Sequence, residues 1–127
     1  MESAPLTLLL DSVILIDHFN GVAPATEYLG KWRKAAAISV ITRAEVLTGF
    51  ALSDEHLALK LLDALPTLTI NAPVADLAAR LRRETHWKLP DAFQAALAMH
   101  HNLRLVTRNI RDFPPDRYSF VEVPYKR

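Results

Sequence analysis

Five short apolar runs recur along the chain, at Thr7–Leu10, Ala36–Val40, Thr67–Ile70, Leu103–Thr107 and Phe120–Val123. Continuous runs of this kind suit strands buried on both faces, whereas a strand with one wet face alternates polar and apolar positions. Between them the pattern switches to helical spacing: Leu57, Leu61, Leu62 and Leu65, then Val74, Leu77, Ala78 and Leu81, then Ala92, Ala95, Ala96 and Met99. Helix starts are marked by Thr42, by Ser53 and Asp54, by Pro73 and by Pro90. Proline and glycine are scattered singly, with no repeat, low-complexity tract or linker. Strands of this type alternating with helices predict a three-layer α/β/α fold, with a mostly parallel central sheet of about five strands, in one domain over residues 1–127. Ligand sites in such sheets lie beyond the carboxyl ends of the strands.

The 127 residues are 50% hydrophobic and 23% charged, an ordinary globular balance, and they include no cysteine, so the core must rest on hydrophobic burial without disulfides. The apolar stretch from Leu6 to Ile16 is broken by Asp11 and preceded by Glu2 rather than by basic residues, which does not read as a signal peptide. No apolar run approaches the roughly 20 residues a membrane helix needs, so the expected location is cytoplasmic, with no membrane partner. The net charge of +1 divides into −4 over residues 1–79 and +5 over residues 80–127. Such a division suits a cation site beside a phosphate-attracting surface, and equally suits ordinary solvated helix faces.

Acidic and amide side chains cluster where the predicted strands end. Asp11 directly follows the first run, Glu45 falls in the first turn of the helix after the second, Asp91 stands behind Pro90, and Asn109 and Asp112 follow the run ending at Thr107. Gathered carboxylates repel one another unless a cation neutralises them. Magnesium takes oxygen ligands and keeps several waters, and manganese fits the same donors. Zinc has little support, because there is no cysteine and the adjacent His100 and His101 point to different parts of a helix surface.

Each residue also has a local explanation. Thr42 to Glu45 matches a Thr-x-x-Glu capping box, Asp91 suits the positive end of a helix, and Asp112 precedes a Phe-Pro-Pro turn. Asp11 ends a buried strand without an obvious helix to cap, which makes it the strongest candidate. Asp17 reads either as a support for the site or as a surface or capping residue. The histidines at 18, 56 and 86 show no ligand spacing, and the glycines at 21, 30 and 49 form no phosphate loop.

Four segments taken in order carry a resemblance: Leu10-Asp11-Ser12 through Leu15-Ile16-Asp17; Ile38-Ser39-Val40-Ile41-Thr42 with Glu45; Lys88-Leu89-Pro90-Asp91-Ala92; and Leu105-Val106-Thr107-Arg108-Asn109 with Asp112-Phe113. Together they resemble PIN-domain ribonucleases, in particular the VapC toxins of type II toxin-antitoxin systems. The resemblance implies an endoribonuclease in which Asp11, Glu45 and Asp91 hold Mg2+ or Mn2+, with Asn109 or Asp112 completing the site. It also implies a homodimer held inactive by a cognate antitoxin that covers the acidic cleft. Many relatives carry a polar residue where this chain has Val13.

A metal-activated water removes the need for a protein nucleophile and leaves a 5'-phosphate and a 3'-hydroxyl. Ser12 and Thr107 are candidates to orient the carboxylates through their hydroxyls, or else simply terminate strands. Arg80, Arg82, Arg83, Lys88, Arg104, Arg108 and Arg111 are candidates to track the backbone of a tRNA or ribosomal RNA, with Arg83, Lys88, Arg108 and Arg111 foremost. Tyr28, Trp32 and Trp87 are read as core or interface residues before base-stacking ones. Phe19, Tyr28 and Leu29 are expected to be exposed apolar residues suited to a protein interface. The rival readings are a catalytically inactive PIN-like module that binds RNA or protein, separated by metal-dependent cleavage, and an α/β phospho-acceptor domain, separated by trapping a phosphorylated Asp11.

Overall fold

Residues 5–126 are described by a computed structural model. The strands are β1 (Leu8–Leu10), β2 (Ala36–Ser39), β3 (Thr67–Leu68), β4 (Arg104–Val106) and β5 (Val121–Glu122). Helices α1 (Ser12–Phe19), α2 (Ala23–Trp32), α3 (Val40–Thr48), α4 (Glu55–Leu62), α5 (Ala72–Glu84) and α6 (Leu89–His100) alternate with them. All strand pairings are parallel, in the order β3-β2-β1-β4-β5. Each of the five apolar runs contains a strand, as the pattern predicts.

Side chains alternate across β1, so its three leucines feed two cores. Leu9 packs with Val74, Ala78, Trp87, Leu97 and Leu105 beneath α5 and α6. Leu8 and Leu10 pack with Ile14, Leu15, Leu29, Val46 and Leu62 beneath α1 to α4. The centre of the sheet is thereby buried on both faces, which is the physical reason β1 is apolar throughout, while polar residues such as Arg104 and Glu122 appear on strands nearer the edge. Leu29, expected at the surface, is only 4% exposed and belongs to this second core, whereas Phe19 and Tyr28 are partly buried.

The chain runs outward from β1 to β2 and β3, then crosses back so that β4 lies against the other side of β1. The reversal opens a crevice beyond the carboxyl ends of β1 and β4. Two helices end in tight turns. Gly21 (φ +79°) ends α1, with the Val22 N–H bonding to the Asp17 carbonyl at 3.0 Å. Asn102 (φ +54°) ends α6, with the Leu103 N–H bonding to the Ala98 carbonyl at 2.8 Å. Both use a left-handed residue to satisfy the last helical carbonyls and turn the chain sharply.

Candidate active site

β1 ends at Leu10, and the next residue turns the chain into α1. Asp11 is 9% exposed and caps that helix, its Oδ1 accepting the Ser12 N–H at 2.8 Å. The absence of a cap expected from the sequence is therefore corrected: the helix follows the strand with no intervening residue beyond Asp11 itself. Oδ2 accepts the Thr107 hydroxyl at 2.7 Å, and Gln94 Nε2 approaches Oδ1 at 3.4 Å. Thr107 in turn accepts the Asn109 N–H at 3.0 Å. The end of β4 and the middle of α6 thus converge on one carboxylate.

The helix carrying Glu45 begins earlier than the capping-box reading requires. Ser39 caps α3, its Oγ accepting the Thr42 N–H at 3.0 Å, and Thr42 is fully buried inside the first turn. The Thr42 hydroxyl reaches the Leu10 carbonyl at 3.3 Å instead of its own helix terminus. Glu45 consequently lies in the second turn, exposed, on the side of α3 that faces Asp11 and Ser12. Burial raises its pKa foremost, the Ser12 side-chain hydrogen bond opposes this, and the Asp11 charge adds to it.

Asp91 stands in the first turn of α6, behind Pro90. Its carboxyl is pushed up to about 6, first by burial and then by the charges of Asp11, Asp112 and Glu45, with Lys88 pulling the other way. Asn109 and Asp112 clasp each other: Asn109 Nδ2 donates to Asp112 Oδ2 at 3.0 Å, and the Asp112 N–H donates to Asn109 Oδ1 at 3.3 Å. The amide oxygen of Asn109 is committed to this turn, which leaves Asp112 as the charged member facing Asp91. Trp87, 1% exposed, anchors the same loop by donating from Nε1 to the Asp112 carbonyl at 2.7 Å. It is packed against Phe113 and Tyr118, as a core residue should be.

Asp91 is thus within electrostatic reach of Asp11, Asp112 and Glu45, and Glu45 of Asp11. Among the described residues, however, no three acidic or histidine side chains stand close enough to chelate an ion unaided. An all-oxygen donor set of this spacing fits a hard cation that keeps several of its waters, as Mg2+ does, and not a closed four-ligand site.

A cleft of about 450 Å³ opens beside them, lined by His86, Lys88, Asp91, Arg111 and Asp112. Lys88 and Arg111 reach this cleft, whereas Arg83 lies exposed on the last turn of α5. His86, read from the sequence as an ordinary group, is part of the lining; only its place two residues before Lys88 could have signalled it. Arg108 is committed elsewhere. Its Nε and Nη2 donate to the two oxygens of Asp17 at 2.6 and 3.0 Å, and the Tyr125 hydroxyl donates to the same carboxylate at 2.9 Å. Asp17 is 1% exposed, so this network is a buried support beneath the Thr107–Asn109 loop and not a surface or capping feature. Gln94, missed in the sequence, is the polar exception in an apolar helix stripe, one turn beyond Asp91.

Compared with known families, residues 8–114 match the PIN domain. The chain is 33% identical over 114 residues to ribonuclease VapC10 of Mycobacterium tuberculosis, covering 84% of this chain and 86% of that protein. Among solved structures it is similar to a chain of a toxin-antitoxin complex from Klebsiella pneumoniae, with a TM-score of 0.87 and 36% identity over 94% of this chain and 99% of that one. It also shares its fold with VapBC2 of Rickettsia felis bound to a promoter DNA fragment, with a TM-score of 0.76 and 23% identity over 92% of this chain and 98% of that one.

Proposed function

The chain belongs to the PIN domain family, and from that membership we propose that it is the endoribonuclease toxin of a type II toxin-antitoxin pair, dependent on Mg2+ or Mn2+. The observation that carries the reading is Asp91, whose carboxyl is raised to about 6 by burial and by Asp11, Asp112 and Glu45, a concentration of negative charge that a divalent cation relieves.

Asp11, Glu45, Asp91 and Asp112 would hold the ion, with Asn109 holding Asp112 in place. When bound, such an ion acidifies water and offsets charge growing on a scissile phosphate. The protein's own contribution is positional. Thr107 and the Ser12 N–H fix Asp11, Asn109 fixes Asp112, and Lys88 and Arg111 supply cations along the cleft for the RNA backbone. Water is the proposed nucleophile, with the Thr107 hydroxyl engaged in holding Asp11. A new oxygen–phosphorus bond forms, the bond from phosphorus to the 3'-oxygen breaks, and that oxygen takes up a proton, leaving a 3'-hydroxyl and a 5'-phosphate.

The partner is a cognate antitoxin, in line with the toxin-antitoxin complexes among the similar structures. A homodimer of the toxin and a cytoplasmic location complete the proposal. No helix among the described residues is long and apolar enough to cross a membrane.

The test is cleavage of a mixed tRNA and ribosomal RNA pool by antitoxin-free protein, with Mg2+, with Mn2+ and with EDTA, beside Asp11→Asn and Asp91→Asn. Metal-dependent cuts that vanish in both variants are expected. Folded, metal-supplied protein that leaves the pool intact would favour the second reading, a catalytically inactive module that binds RNA or protein. The observation on that side is Val13, which lines a hollow with Arg108, Asn109, Ile110 and Arg111 and supplies no polar atom there.

A further inference from the structure

From Ala92 to Ala98, α6 is apolar at every position but one. Gln94 sits there, 2% exposed, on the same helix face as Asp91. Its Nε2 donates to Thr42 Oγ1 at 2.7 Å and approaches Asp11 Oδ1 at 3.4 Å. Thr42 belongs to the helix of Glu45 and also bonds to the Leu10 carbonyl at the end of β1. One amide therefore touches the segments that carry Asp11 and Glu45 from the helix that carries Asp91.

The amide's orientation follows from its neighbours. The atom facing a carboxylate must be the nitrogen, since a carbonyl oxygen there would meet like charge. The opposite atom, Oε1, is left buried without a hydrogen-bond partner, and no other buried side-chain polar atom among the described residues is in that state. An unmade bond at a buried acceptor lowers stability. Methionine would fill nearly the same volume without that cost, so packing alone does not account for a glutamine here.

Resting on the nuclease reading above, we infer that Gln94 is a positioning residue which holds Asp11 and α3 in register with Asp91, at the expense of fold stability. It touches neither RNA nor the reacting phosphate. Its action is to restrain the separation of carboxylates that repel one another when no ion is bound.

The experiment compares full-length wild type with Gln94→Met and Gln94→Ala by three measurements: melting temperature without metal, Mn2+ affinity by calorimetric titration, and the split between kcat and KM on a cleaved RNA. Gln94→Met should melt at or above the wild-type temperature, bind Mn2+ about tenfold more weakly and lose about tenfold or more in kcat with KM unchanged, the range typical when a support of a metal ligand is removed. Gln94→Ala should show the same losses with a lower melting temperature, because it also opens a cavity. Unchanged Mn2+ affinity in both variants would overturn the inference, as would a loss that follows melting temperature across the two. Wild-type protein that neither bound Mn2+ nor cut RNA would defeat the nuclease reading and this one with it.

Discussion

The Thr107 hydroxyl donates to Asp11 Oδ2 at 2.7 Å, joining the ends of β4 and β1 across 96 residues of sequence. These strands are neighbours only because the sheet reverses direction at β1, so the bond sits in the crevice that the topology creates. Thr107 also accepts the Asn109 N–H, which makes one buried hydroxyl the link between Asp11 and the loop of Asp112.

Replacing Thr107 with valine keeps the shape and removes both bonds. We expect Thr107→Val to lose about 10- to 100-fold in cleavage rate, with Thr107→Ser retaining most of it. Initial rates on one RNA substrate check this. Equal rates for wild type and the valine variant would remove Thr107 from the mechanism.

The raised Asp91 carboxyl carries a stability signature. Its folded pKa of about 6 exceeds the ordinary 3.8, so the metal-free fold binds the proton more tightly than the unfolded chain does. That contribution is fully present below pH 3.8 and is lost as pH rises through about 6. At pH 7 Asp91→Asn should therefore be more stable than wild type without metal, by on the order of 1 kcal/mol once solvent screening of this half-exposed group is allowed for. The gain should shrink toward pH 4, while cleavage is abolished at every pH. Thermal melts at the two pH values decide it, and a variant less stable than wild type at pH 7 would contradict the assignment.

Asn109 and Asp112 should separate by role. Asp112→Asn is expected to abolish cleavage or nearly so, because it removes charge from the cleft. Asn109→Ala removes only the clasp on Asp112 and should cost about 10-fold. An Asn109→Ala enzyme as impaired as Asp112→Asn would instead make Asn109 a direct ligand.

Arg108 should matter to the fold more than to RNA affinity. Arg108→Ala leaves the buried Asp17 carboxylate without its two guanidinium bonds, a loss of about 3 kcal/mol. Tyr125→Phe should cost about 1 kcal/mol. Arg43→Ala, which breaks the exposed pair with Asp63, should change stability by less than about 1 kcal/mol. Urea denaturation orders the three, and an Arg108→Ala protein as stable as Arg43→Ala would show that the buried pair contributes nothing net.

Glu45 lies one turn deeper in its helix than its spacing suggested, whereas the five strands, the alternation with helices and the placement of Asp11 at the end of β1 and Asp91 in the first turn of α6 were legible from sequence alone. These are local properties: an apolar run is buried wherever it lies, and Pro90 opens a helix whatever it packs against. The exceptions at this level were also local. Thr42 looks like a cap, yet Ser39 takes that place because β2 passes into α3 without a loop, turning the Thr42 hydroxyl inward.

What only the tertiary structure decided are contacts between residues far apart in the chain. Gln94 meets Asp11 across 83 positions and Tyr125 meets Asp17 across 108, and no spacing within either segment encodes these meetings. They follow from β1 being clasped between β2 and β4, which brings the beginning of the chain against its end. The identities of the charged residues thus came from the sequence by itself. Which of them face the cleft, as Lys88 and Arg111 do, and which are consumed in support, as Arg108 is, was decided by packing, because a charge is committed only by the partner placed beside it.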